Sequence, residues 1–104
     1  MQAKPRPALV LAPRAVHELR SVARWYDRQR PGLSVDFLQA LDDTFAQVRE
    51  GPTRFRAVRG EVRRALVTRF PYGVFFVEDA ARVVVLAVLH SRRDPRRWPS
   101  RPAR

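Results

Sequence analysis

The chain has 104 residues, a length that makes one domain and leaves no room for two. It has no cysteine, which excludes disulfides and thiolate-held metals, and no run approaching the ~20 apolar residues of a membrane span. Twenty-one basic residues against ten acidic ones give a net charge of +11, a field that attracts phosphate backbones or acidic proteins. All of the basic residues except Lys4 are arginine. A GC-rich genome alone produces that preference for arginine over lysine, but it does not explain the net charge. The apolar run at Ala8 to Ala12 is too short for a signal peptide, so the expected location is the cytoplasm.

Residues 1–7 read as a flexible arm, because Pro5 and Pro7 oppose regular pairing. ALVLA at Ala8 to Ala12 predicts a short edge strand, and Pro13 stands where the first turn of a helix tolerates it. Val16, Leu19, Val22, Ala23 and Tyr26 recur at helical spacing opposite Arg14, Glu18, Arg24 and Arg28, which predicts a helix to about Gln29. Pro31-Gly32 ends it. A second helix is expected from Ser34, read as its N-cap, to the stop at Gly51-Pro52, burying Phe37, Leu38, Leu41, Phe45 and Val48. The tight link makes the two helices an antiparallel hairpin.

Beyond Pro52 the period shortens. Phe55 to Val58 is a candidate short strand in a basic loop. VRRALVTRF (Val62 to Phe70), YGVFFVE (Tyr72 to Glu78) and RVVVLAVLH (Arg82 to His90) predict three strands, joined by short links into an antiparallel meander. The last strand is almost wholly apolar, which suits an interior position in the sheet. Residues 91–104 read as a basic, proline-rich tail. The expected fold class is therefore α+β: a short N-terminal strand, an antiparallel two-helix hairpin, then a three-stranded antiparallel meander forming one small sheet, all in a single domain over residues 1–104.

Candidate chemistry follows from that order. A meander brings the end of its third strand beside the start of its second and the end of its first. His90 and Arg92 should then lie near Arg69 and Tyr72, and with Arg63, Arg64 and Arg93 they form an expected basic rim. Arginine suits such a rim because its planar fork pairs phosphate or carboxylate in two places and stacks on rings. A solvated charged face gives the same pattern. His90, in phase with Val84, Leu86 and Val88, reads either as a histidine capping a turn or as a general base. Trp98 interrupts the basic tail and either packs back on the sheet or serves as a stacking platform. Only one of Trp25 and Tyr26 can face the core squarely. Tyr26 fits the stripe, so Trp25 is placed at the margin as a partner-binding residue. With His17 and His90 as the sole histidines and no clustered carboxylates, no metal and no cofactor is expected.

Four segments carry a family resemblance over nearly the whole chain. They are AVHELRSVARWY (Ala15 to Tyr26), PGLSVDFLQAL (Pro31 to Leu41), VRRALVTRFPYGVFF (Val62 to Phe76) and LAVLHSRRDPRRW from Leu86. With the pattern RRxLxxRFPY followed by HxRRDPxxW, the chain resembles the RelE/ParE superfamily of type II toxin–antitoxin toxins, the plasmid-stabilisation proteins. The resemblance implies a toxin neutralised by an acidic, partly disordered antitoxin, with which it forms a hetero-oligomer. ParE-like members inhibit DNA gyrase without being enzymes, whereas RelE-like members cleave mRNA on the ribosome. The nuclease pattern expects a basic residue after the aromatic that opens the middle strand, where this chain has Gly73. It also expects a tyrosine near the C-terminus, where this chain has Trp98. His90 and Arg93 remain as catalytic candidates if the chain is a nuclease, with Arg63 or Arg64 on the phosphate. A third reading is a non-toxic member that acts in autoregulation with its antitoxin.

Overall fold

The computed structural model describes residues 7–92. Its elements run β1 (Ala8–Leu11), α1 (Pro13–Gln29), α2 (Leu33–Glu50), a 3-10 turn (Pro52–Arg54), β2 (Arg56–Arg59), β3 (Val62–Leu66), β4 (Tyr72–Asp79) and β5 (Arg82–His90). The strands form one five-stranded sheet in the order β1-β5-β4-β3-β2. The expected meander is its β3-β4-β5 portion, and the sheet is wider than three strands because both flanking runs join it. β1 pairs parallel to β5, and β2 forms an antiparallel hairpin with β3. β5 is thereby interior, as its apolar sequence requires.

The helix hairpin covers one face of this sheet. Pro13 starts α1, and the amide of Ala12 still bonds Val85 at 2.9 Å, so the chain passes from β1 into α1 without losing its hold on β5. Ala15 and Tyr26 of α1 with Phe37, Ala40, Leu41 and Val48 of α2 pack on Ala65, Val74, Phe76, Val83, Val85 and Val88 of the sheet. The Arg49 guanidinium bonds the carbonyl of Pro7 at 3.0 Å and ties the end of α2 to the entry of β1.

Local details depart from the sequence reading in four places. The N-cap of α2 is Gly32, at φ +90°, and Ser34 lies inside the helix. The capping oxygens come from Asp27 of α1, which accepts the Gly32 amide at 3.2 Å, the Ser34 amide at 2.9 Å and the Ser34 hydroxyl at 2.8 Å. These donors, Ser34 first, hold the Asp27 carboxyl below its ordinary range. Leu38 is 41% exposed rather than buried, because Phe37 and Leu41 take the core-facing positions of α2. β3 ends at Leu66 and not at Phe70. The chain turns over residues 67–71, with Arg69 at φ +72° and the Val67 amide bonded to the Tyr72 carbonyl, so Phe70 packs toward the helices.

The fourth departure is a β-bulge in β5, where Phe75 pairs with Ala87 but Phe76 pairs with Val85. Leu86 is the extra residue. It breaks strict alternation, so Val85 and Val88 both face the helices while Val84 and Leu86 face the other way. His90 therefore shares a face with Val88 but not with Val84 or Leu86. The second sheet face carries its own apolar cluster of Val62, Phe75, Val77, Ala87 and Leu89, each at most 4% exposed. No helix among the described residues is long and apolar enough to cross a membrane.

Candidate functional site

Tyr72, the first residue of β4, lies across from His90, the last of β5, and their rings meet edge to face at 5.3 Å. The amide of Ser91 bonds the Pro71 carbonyl at 2.8 Å and closes this end of the sheet. Behind the pair runs a chain of ring contacts. Tyr26 touches Phe37, Phe70 and Tyr72, and Trp25 abuts Tyr26 at 5.1 Å. Offset and edge-on pairs of this kind are worth ~0.5–1.5 kcal/mol each beyond burial. Burial raises the Tyr72 hydroxyl above its usual range, and burial followed by the neighbouring Tyr72 does the same to Tyr26. Tyr26 is in the core and Trp25 is 46% exposed at the margin, the division expected for that adjacent pair.

His90 caps a turn. Its Nδ1 accepts the backbone N–H of Arg92 at 3.1 Å. A neutral imidazole has one acceptor nitrogen, so the ring proton sits on Nε2 and the lone pair is turned inward. In this arrangement the outward Nε2–H of His90 is a hydrogen-bond donor and not an acceptor.

The arginines do not form one rim. Arg69 and Arg92 are exposed at the same end as Tyr72 and His90. Arg63 and Arg64, adjacent in β3, point to opposite faces, since they pair with Phe76 and Phe75 respectively. The Arg63 guanidinium is spent on backbone carbonyls, donating to Phe55 at 2.6 Å and Thr53 at 3.5 Å. Arg64 crosses the face remote from the helices. Its Cγ and Cδ stand 3.3 Å from where a Cβ on Gly73 would lie, and the Phe75 ring is 3.2 Å from the same point. The stem of Arg64 thus fills the space above Gly73. Arg93 and Trp98, the other two sequence candidates, lie outside the described residues.

The helix pair also presents an apolar groove, as expected for a partner, but the sequence reading placed only Trp25 at it and not the residues that line it. Leu19 of α1 with Val35, Leu38 and Phe45 of α2 line an open groove, and Asp42 stands on its rim. Val35 is 66% exposed. The signal was a second apolar stripe on α2, masked by the stronger core stripe beside it. Charge is divided between the helices: Arg20, Arg24 and Arg28 follow one another at four-residue steps on the exposed face of α1, whereas α2 carries Asp36, Asp42, Asp43 and Glu50.

The comparisons with known proteins agree with this architecture. Residues 9–95 match the family model described as "ParE toxin of type II toxin-antitoxin system, parDE". A solved structure titled "Chromosomal ParDE TA system from P. aeruginosa" superposes with a TM-score of 0.73 at 13% identity, covering 82% of this chain and 96% of that one. At that identity the superposition speaks for the fold alone. No curated protein matches in sequence. The family match extends from β1 through the aromatic end of the sheet, and on that match the chain belongs to the ParE toxin family of type II toxin–antitoxin systems.

Proposed function

We propose that this chain is a toxin that acts by binding DNA gyrase rather than by cutting RNA, and that a cognate antitoxin neutralises it. Membership of the ParE family supports the binding mode. The observation that carries it is the state of His90, whose acceptor nitrogen is committed to the Arg92 amide. A ribonuclease needs a group that removes the proton of a 2′-hydroxyl and cations that gather on the scissile phosphate. Here the histidine offers only a donor, Arg63 is held by carbonyls, and Gly73 has no side chain to contribute. Arg64, Arg69 and Arg92 remain exposed enough to engage an anionic surface.

The antitoxin reading has its own support in the groove between α1 and α2. Val35, Leu38 and Trp25 together expose apolar surface that a chain of this charge has no internal use for. An amphipathic segment laid in the groove would cover Val35 and Leu38.

Purified toxin is expected to block gyrase supercoiling at stoichiometric ratio, and induction without antitoxin is expected to raise a DNA-damage response. Intact supercoiling at excess toxin, with new transcript ends in induced cells, would replace this reading by the RelE-like nuclease. Induction that leaves growth untouched would replace it by the autoregulatory one.

A further inference from the structure

The outer face of α1 carries a row of cations with no matching anion among the described residues. Arg20, Arg24 and Arg28 are exposed, and their four-residue steps stack them on one side of the helix. At the rise of an α-helix the row is about 12 Å long, with about 6 Å between neighbours. α1 has two carboxylates, Glu18 and Asp27, and both are used elsewhere. Glu18 accepts the Val88 amide and the Arg14 guanidinium, and Asp27 accepts the Gly32 amide and both donors of Ser34. Among the described residues the row's one side-chain partner is the Ser21 hydroxyl, 3.4 Å from Arg24. Like charges at this spacing repel and weaken a helix. The negative end of the helix dipole accounts for Arg28, in the last turn, but Arg20 and Arg24 stand beyond its reach. The apolar groove does not use the row either, since α1 contributes only Leu19 to its lining.

We propose that this row is a contact for the phosphate backbone of duplex DNA, made without regard to base sequence. A duplex is a stiff, regular line of anions, one per ~1.7 Å of its axis. A helix that presents equally spaced guanidinium groups meets such a line along its length, and each planar fork can hold a phosphate in two places. The net charge of +11 draws the duplex in, and the row fixes where it rests. An acidic peptide is the weaker candidate, because it bends to meet scattered cations and gains nothing from their alignment. The contact needs no gyrase, so it goes beyond the inhibition proposed above and does not depend on it.

Fluorescence anisotropy of a short labelled duplex of arbitrary sequence, titrated with the purified full chain over a range of salt concentrations, tests the contact. The triple variant Arg20→Ala, Arg24→Ala, Arg28→Ala should bind at least tenfold more weakly. The slope of its log affinity against log salt should be flatter by about 2 to 3, at ~0.9 for each phosphate lost. A control removes the same charge from other elements by Arg54→Ala, Arg56→Ala and Arg82→Ala, all at exposed positions. Its affinity should stay within about threefold of wild type, with circular dichroism and melting showing both variants folded. Equal losses in the two triple variants would overturn the proposal, because the general field and not the row would then hold the DNA. No binding of the duplex by the folded wild-type chain at low salt would overturn it as well. So would polyglutamate that displaces the labelled duplex as well as unlabelled duplex does at equal charge, since it assigns the row to an acidic protein. The assay contains no gyrase, so a failure here and a failure of the supercoiling assay are separate results.

Discussion

The carboxylate of Glu18 accepts the backbone N–H of Val88 at 2.8 Å, across 70 residues of sequence. β1 pairs with β5 only as far as Val85, and the chain then leaves for α1. Beyond that point the free edge of β5 has lost its strand, and Glu18 stands in for the missing carbonyl. Arg14, one turn earlier, holds the same carboxylate at 2.9 Å. The helix is thus keyed to the strand just after the Leu86 bulge and just before the Tyr72–His90 pair.

Glu18→Ala leaves the Val88 amide without its acceptor in a partly buried position. An unsatisfied buried donor costs ~1–3 kcal/mol, so denaturant unfolding should register a loss of about 2 kcal/mol. Glu18→Gln keeps an amide oxygen in place and should lose clearly less. Equal losses for the two variants would mean that the carboxylate's charge, and not its acceptor oxygen, does the stabilising.

Asp27 links acid stability to the helix turn. Its carboxyl is held below the ordinary aspartate value of 3.8 by the Ser34 and Gly32 donors. A depressed folded-state value contributes stability that is present above the unfolded value and lost as pH falls through the folded one. Thermal unfolding followed downward from pH 3.8 should therefore show the midpoint dropping more in the wild type than in Asp27→Asn, whose side chain does not titrate. Parallel curves would remove Asp27 from the acid response.

These two carboxylates also mark what was legible in the sequence. The helices could be read because their apolar spacing and the Pro-Gly stops are local signals. The interior place of β5 could be read from its unbroken apolar run. Asp27 and Glu18 could not, because a capping or edge-satisfying role depends on which backbone group tertiary packing brings to the carboxylate. The face of His90 was misjudged for a related reason. Leu86 looks like any other apolar residue in the run, and a bulge there changes the phase of everything after it. The Arg63–Arg64 pair fared similarly: as neighbours in a string they suggest one patch, as neighbours in a strand they face opposite ways.

Alkaline stability should report on the aromatic chain. The protein has two tyrosines, Tyr26 and Tyr72, and Lys4 is its only lysine. Both phenols are raised above 10.0 by burial. A raised value contributes stability that is complete below the unfolded value and lost as pH rises through the folded one. Above pH 10.0 the midpoint should fall as tyrosinate absorbance rises, and Tyr72→Phe should reduce that fall. An alkaline profile unchanged in Tyr72→Phe would place the sensitivity elsewhere.

Arg63→Ala removes the donor from the Phe55 and Thr53 carbonyls and should destabilise by about 1–3 kcal/mol. Arg64→Ala leaves backbone groups unaffected and should cost less, and if the chain acts on gyrase as proposed it should weaken that inhibition more than Arg63→Lys does. Unfolding curves and a supercoiling assay on the same three variants would separate the two roles. Greater destabilisation by Arg64→Ala would contradict the assignment of the larger stabilising role to the carbonyl contacts of Arg63.

The groove between the helices gives a stability-neutral way to test the antitoxin reading. Val35 and Leu38 are 66% and 41% exposed, so Val35→Asp and Leu38→Asp remove little from the core, and such surface changes usually stay within ~0.5 kcal/mol. If a partner's apolar face covers them, each buried carboxylate is left unpaired in the complex and sits near Asp42, which adds like-charge repulsion. The expected outcome is at least a tenfold loss of antitoxin affinity, or ~1.4 kcal/mol, with an unchanged melting temperature. Trp25→Ala separates the two exposed apolar sites: a loss there as well extends the contact toward the aromatic end of the sheet, and an unchanged affinity confines it to the groove. Wild-type affinity in both aspartate variants would show that the antitoxin binds another surface.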